Sequence, residues 1–84
     1  MTESSTKARV VVTLKNGVLD PQGKAIEGAL RSLGIDGIGA VRQGKVFDID
    51  LGSAAPDTAK KTLSEACERL LANTVIENYS IELV

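Results

Sequence analysis

The chain has 84 residues, a formal net charge of −1, no His, no Trp and one Cys, and its only aromatic residues are Phe47 and Tyr79. This excludes a Ser-His-Asp or Cys-His dyad, a His metal ligand, an internal disulfide and a Cys-cluster zinc site. It also leaves no basic field and few rings for stacking bases, which speaks against nucleic-acid binding.

No apolar run is long enough to span a membrane, and the first ten residues, MTESSTKARV, lack the apolar core of a signal peptide. The expectation is one cytoplasmic domain over residues 7–84 behind a disordered tail over residues 1–6. A domain this small buries a low fraction of its surface, so a partner surface would help to stabilise it.

In chain order, Arg9 to Lys15 reads as a strand, with Val10, Val12 and Leu14 on one face. Asn16-Gly17 ends it. Asp20 is a good N-cap, and Pro21 suits the first position of a helix that runs to Leu33. Ala25, Ile26, Ala29, Leu30 and Leu33 make its apolar stripe, and Gly34 stops it. Gly37 to Leu51 reads as two strands joined by a hairpin turn at Gln43-Gly44. Phe47, Ile49 and Leu51 alternate with Val46, Asp48 and Asp50. Pro56 or Asp57 starts a second helix that runs to about Ala72. Its expected buried stripe is Leu63, Ala66, Cys67, Leu70 and Leu71, with Asn73 at its C-terminal end. Val75 to Val84 reads as the last strand.

The order β-α-β-β-α-β predicts a ferredoxin-like α+β fold, a four-stranded antiparallel sheet with two helices on one face. The other face would carry Val11, Val46 and Val84 among charges. It is either a subunit interface or a solvated face.

The block Leu14 to Gly23 reads locally as a strand exit and helix start: Gly17 turns the chain, Asp20 caps and Pro21 begins the helix. Its functional reading is a polar rim for a partner or an anion, made by Lys15, Gln22 and the free amides near Gly23. Gly23 in the first turn and Gly28 in the interior each cost about 1 kcal/mol relative to Ala. Neither follows from capping, and a close backbone approach by another chain is one reason for Gly28. Arg42-Gln43-Gly44-Lys45 reads as a hairpin tip with two solvated cations, or as a contact for acidic groups. Asp48 and Asp50 share a strand face but make a poor cation site on their own. Cys67 lies inside an apolar stripe and reads as a small core residue. Catalytic, cofactor-binding and metal-binding residues are therefore not expected on this chain.

These residues resemble a known family. Val12 to Gly23, then Ala29-Leu30-x-x-Leu33-Gly34, Val41-Arg42-x-Gly44-Lys45 and Leu70-Leu71-Ala72-Asn73-x-Val75-Ile76-Glu77-x-Tyr79 are similar to the PurS family, from about Lys7 to Val84. The chain departs from it at Thr74, where the family often has Pro, and in the aliphatic segment Ile35 to Ala40. The resemblance implies a non-catalytic small subunit of phosphoribosylformylglycinamidine (FGAM) synthase. That enzyme makes FGAM from formylglycinamide ribonucleotide, ATP and glutamine in purine synthesis. It further implies a homodimer, or a tetramer of two such pairs, that bridges the glutaminase PurQ and the synthetase PurL and assists ammonia transfer. ATP and Mg would be used by the synthetase, with no cofactor here. The expected contact residues are Lys15, Asp20, Pro21, Gln22, Gly23, Gly28, Arg42, Gly44 and Lys45. The alternative is a ligand-sensing regulatory module of ferredoxin-like fold, which rests on fold analogy.

Overall fold

A computed structural model describes residues 5–84. Its elements are β1 (Lys7–Leu14), α1 (Pro21–Ser32), β2 (Gly44–Asp50), α2 (Pro56–Ala66), a π-helical turn (Cys67–Leu71) and β3 (Glu77–Leu83). The three strands form one antiparallel sheet in the order β2-β1-β3. Of the expected tail, residues 1–4 lie outside the described residues. Thr6 is tied down: its amide donates to Gly52 O at 2.7 Å and its hydroxyl to Ala54 O at 2.6 Å.

β1 lies in the centre because it is the most apolar strand. Ala8, Val10 and Val12 are buried on the face covered by Leu63 of α2 and Cys67 of the π-helical turn. Pairing Val10 with both Phe47 and Ile81 puts Phe47, Ile49, Tyr79, Ile81 and Leu83 on that same face. The opposite face is polar: Arg9 Nε donates to Asp48 Oδ1 at 2.9 Å, and Val46 and Val84 are exposed among the charges.

Three expectations are corrected. Among the described residues the sheet has three strands, and the expected fourth is not seen. Residues 35–43 form an irregular strap, and Gly44, expected in a hairpin turn, instead opens β2 opposite Thr13. Gly34 and Gly37 adopt φ of 79° and 92°, which breaks a pleat. The Val41 and Gln43 amides, which a ladder would use, donate to carboxylates on and beside α1.

The second correction concerns α1, which stands off the sheet. Its start and stop follow the sequence. Asp20 caps it, and the Gly34 and Ile35 amides close its end on Arg31 O and Leu30 O, both at 3.0 Å. Its stripe, however, is open, with Leu33 74% exposed and Ile26 39% exposed. α1 and the strap form an arm beyond the end of β1. The radius of gyration is 16.8 Å, against about 12 Å for a compact domain of this length.

The third correction is Leu70, expected in the α2 stripe and found 82% exposed. The amide of Ala72 donates to Cys67 O, a five-residue step. That wider turn shifts the helical phase after Cys67 and carries Leu70 outward.

Candidate functional site

The residues singled out in the sequence meet at the root of the arm, where β1 leaves the sheet and β2 enters it. Gly17, at φ 87°, turns the chain out of β1, and the Val18 amide closes the turn on Lys15 O at 3.1 Å. Asp20 then serves two segments at once. Its Oδ1 accepts the Gly23 amide at 2.9 Å, and its Oδ2 accepts the Gln43 amide at 2.7 Å. The carboxyl is buried, yet its pKa is held below the usual carboxylate value. The Gln43 amide is the chief cause, with help from the Gly23 amide and the Arg42 charge.

Glu27 repeats this arrangement along the helix. Its Oε2 accepts the Val41 amide at 2.8 Å, and Lys24 Nζ lies 3.5 Å from Oε1. Its pKa is also lowered, first by the Val41 amide. At helical spacing Asp20, Gly23 and Glu27 share one side of α1. A Cβ on Gly23 would run into the Val41 carbonyl oxygen, so the close approach that Gly23 permits is made by the strap of its own chain. A Cβ on Gly28 would meet nothing within 4 Å, so packing within the chain does not explain it.

Arg42 locks the strap to the β1 exit. Its guanidinium donates to Val18 O at 2.8 Å and to Lys15 O at 3.0 Å. It is therefore not the free cation of a hairpin tip. Beside it, an open cleft of about 210 Å³ is lined by Val12, Leu14, Asp20, Gln22, Gln43, Gly44, Lys45 and Glu77. Lys45 Nζ faces Glu77 Oε2 at 3.7 Å, and Glu77 Oε1 accepts the Asn73 amide at 2.7 Å. Gln22 is exposed at the cleft, and Pro21, also exposed, is not among its lining residues. Lys15 lines a neighbouring shallow cavity with Glu68, Thr74, Asn78 and Tyr79, and Glu77 borders both.

The structure thus brings Asp20, Gln22, Gly23, Arg42, Gly44 and Lys45 together, with Lys15 joined through its backbone, and leaves Gly28 apart. Sequence reasoning missed Glu27 and Glu77. Glu27 carried one signal, its position two turns after Asp20 on the same side of the helix. Glu77 carried none. Chemically the site is a clamp, because its carboxylates are engaged by backbone amides. Among the described residues, no group of three or more His, Cys, Asp or Glu side chains could hold a metal. The Cys67 thiol is buried in the core and its pKa is raised by that burial.

Comparison with known proteins places this geometry. The family model described as PurS, phosphoribosylformylglycinamidine (FGAM) synthase, matches residues 7–84. The PurS subunit of FGAM synthase from Mycobacterium leprae is 48% identical over 75 residues, covering 89% of this chain and 91% of that one. The one from Synechocystis is 46% identical over 79 residues, covering 94% and 79%. Among solved structures, Bacillus subtilis PurS aligns with a TM-score of 0.84 at 42% identity, covering 94% of this chain and 98% of that one. A chain of the PurLQS structure from Thermotoga maritima aligns with a TM-score of 0.86 at 28% identity, covering 96% and 99%. The chain therefore belongs to the PurS family and is a subunit of phosphoribosylformylglycinamidine synthase, an enzyme of purine biosynthesis.

Proposed function

We propose that this chain is a non-catalytic bridge, acting in the cytoplasm, that holds the glutaminase PurQ against the synthetase PurL and assists the passage of ammonia between them. The observation that carries this reading is the clamped root of the arm. Asp20, Glu27 and Arg42, polar groups of the kind enzymes use on substrates, are instead engaged in fixing the shape of a surface. Family membership supplies the partners, through the PurLQS assembly of a related chain.

A bridge contributes through effective concentration: two active sites held together pass a product on before it diffuses away. Ammonia gains from this because release into bulk water protonates it and removes the nucleophile. ATP and Mg belong to the synthetase in this reading, and no cofactor sits here. The chain acts as a homodimer, or as a tetramer of two pairs. Lys15, Asp20, Pro21, Gln22, Gly23, Gly28, Arg42, Gly44 and Lys45 form or shape its contact surface. Native mass measurement on mixed PurL and PurQ tests the bridge. A joint complex is expected only when this chain is added. A PurL–PurQ complex of equal abundance without it would refute the bridging role.

A further inference from the structure

The cleft at the root of the arm orders its charges by depth. In the ladder Lys45 of β2 stands opposite Val12, and Glu77 of β3 opposite Leu14. The two charged side chains therefore flank the last apolar residues of β1, on the sheet face that carries the core. Asp20 is only 6% exposed, and both its oxygens accept amides. The Glu77 side chain is 14% exposed, with Oε1 on the Asn73 amide. The Lys45 side chain is 57% exposed, and its Nζ stands 3.7 Å from Glu77 Oε2, beyond hydrogen-bond length. The carboxylates lie inside and are engaged, whereas the ammonium lies at the mouth with donors to spare. Gln22 and Gln43 place exposed carboxamides beside it.

These features select an occupant. The volume of about 210 Å³ falls below the roughly 300–1,000 Å³ of pockets that enclose a small-molecule ligand, and suits a single side chain. An incoming cation would meet Lys45 before either carboxylate. An incoming carboxylate meets an ammonium and two amide donors, and its methylene stem can lie along Val12 and Leu14. A phosphate would call for a second cation, but Arg42 is turned to Val18 O and Lys15 O.

We infer that the cleft receives an acidic side chain, aspartate or glutamate, from one of the larger subunits of the synthase, with Lys45 as its counter-ion. The inference rests on the bridging role proposed above and names the chemistry by which the bridge is recognised. Glu77 then has a part in that recognition: held by the Asn73 amide, it keeps Lys45 over the cleft.

The test changes charge at the mouth without touching the Lys45–Glu77 pair. Gln22 lies in the first turn of α1, where the helix N-terminus favours a carboxylate and disfavours a cation. Gln22→Glu should therefore fold at least as well as the parent, and Gln22→Lys no better. Titration calorimetry of the full-length chain against PurL, against PurQ and against both reads the affinities. Gln22→Glu and Lys45→Met should each weaken binding of one larger subunit about tenfold, as loss of a hydrogen bond to a charged group does. Gln22→Lys should tighten it, so the order of affinities runs against the order of helix stabilities. A Gln22→Glu chain that binds as tightly as the parent, or more tightly, would overturn the acidic occupant and leave the bridge standing. A parent chain that binds neither subunit would overturn both. Gln22 variants that change the native mass of the isolated chain, and leave partner affinity alone, would assign the cleft to a second copy and overturn the inference.

Discussion

Asp20 and Gln43 are 23 residues apart in the chain, yet the Gln43 amide donates to Asp20 Oδ2 at 2.7 Å while Oδ1 of the same carboxylate caps α1. One side chain thus starts a helix and anchors the segment that returns from it. Asp20→Asn separates the two roles, since an amide has one acceptor oxygen for two donors. The cap is retained by the local geometry and the strap is released. Hydrogen exchange at the Gln43 amide should accelerate on the order of tenfold or more, with Gly23 little changed. Unchanged exchange at Gln43 would show that the strap is held by something else.

Gly23 and Gly28 lie on the same helix and should respond oppositely to added methyl groups. Gly23→Ala meets the Val41 carbonyl oxygen and should cost about 1–3 kcal/mol, as overpacking does. Gly28→Ala has open space around it and should gain up to about 1 kcal/mol from helix propensity. Urea unfolding checks both. Gly28→Leu should fold and weaken assembly with the larger subunits. Normal assembly would remove Gly28 from the contact surface.

Acid should loosen the arm before the sheet. Asp20 and Glu27 both have folded pKa values lowered from their ordinary 3.8 and 4.5 by amides of the strap. A lowered carboxylate contributes stability that is fully present above its unfolded value and is lost as pH falls through its folded value. The strap amides Val41 and Gln43 should therefore keep their protection at pH 6 and lose it below about pH 4. Glu27→Gln should flatten the acid response at Val41. An arm that opens first near neutral pH would contradict this origin.

Leu63 and Leu33 divide the chain into core and arm. Leu63 is buried on the core side of α2, so Leu63→Ala should cost about 2–5 kcal/mol at any protein concentration. Leu33 is 74% exposed in the single chain. Its replacement by Ala should matter only where chains associate, as a midpoint that depends on concentration. A concentration-independent loss at Leu33 would place it in the monomer core.

The Cys67 thiol is fully buried and its pKa is raised by that burial. A thiol reagent should label it only as fast as the native state opens. Rapid labelling under native conditions would show the core to be open there.

Much of this was legible in the sequence. Asp20-Pro21 and Gly34 marked the ends of α1, and alternation in β1 identified Val10 and Val12 as core. The errors share a cause. The apolar stripe of α1 has helical spacing wherever its partner surface lies, so periodicity could not reveal that the surface belongs to no element of this chain. Val41 and Gln43 fit a strand pattern, and only the tertiary approach of Glu27 and Asp20 takes their amides out of a ladder. Leu70 has the spacing of a buried residue until the π turn at Cys67 shifts the phase. At the arm root, Asp20 was legible because a helix cap has a local signature, Gly23 stood out as a glycine that capping does not require, and Arg42 was singled out as a hairpin-tip cation while its bonds to Val18 and Lys15 were missed. Glu77 was missed because its partners come from β2 and from the loop before β3.

The central claim is that this chain joins two activities and performs neither. It is tested most directly by the rate of FGAM formation by PurL and PurQ, with glutamine or with ammonium salt as nitrogen source, with and without this chain. The expected result is that glutamine-supported synthesis depends on the chain, ammonia-supported synthesis by PurL does not, and the chain alone turns over neither substrate. Glutamine used equally well in its absence, or turnover by the isolated chain, would contradict the account.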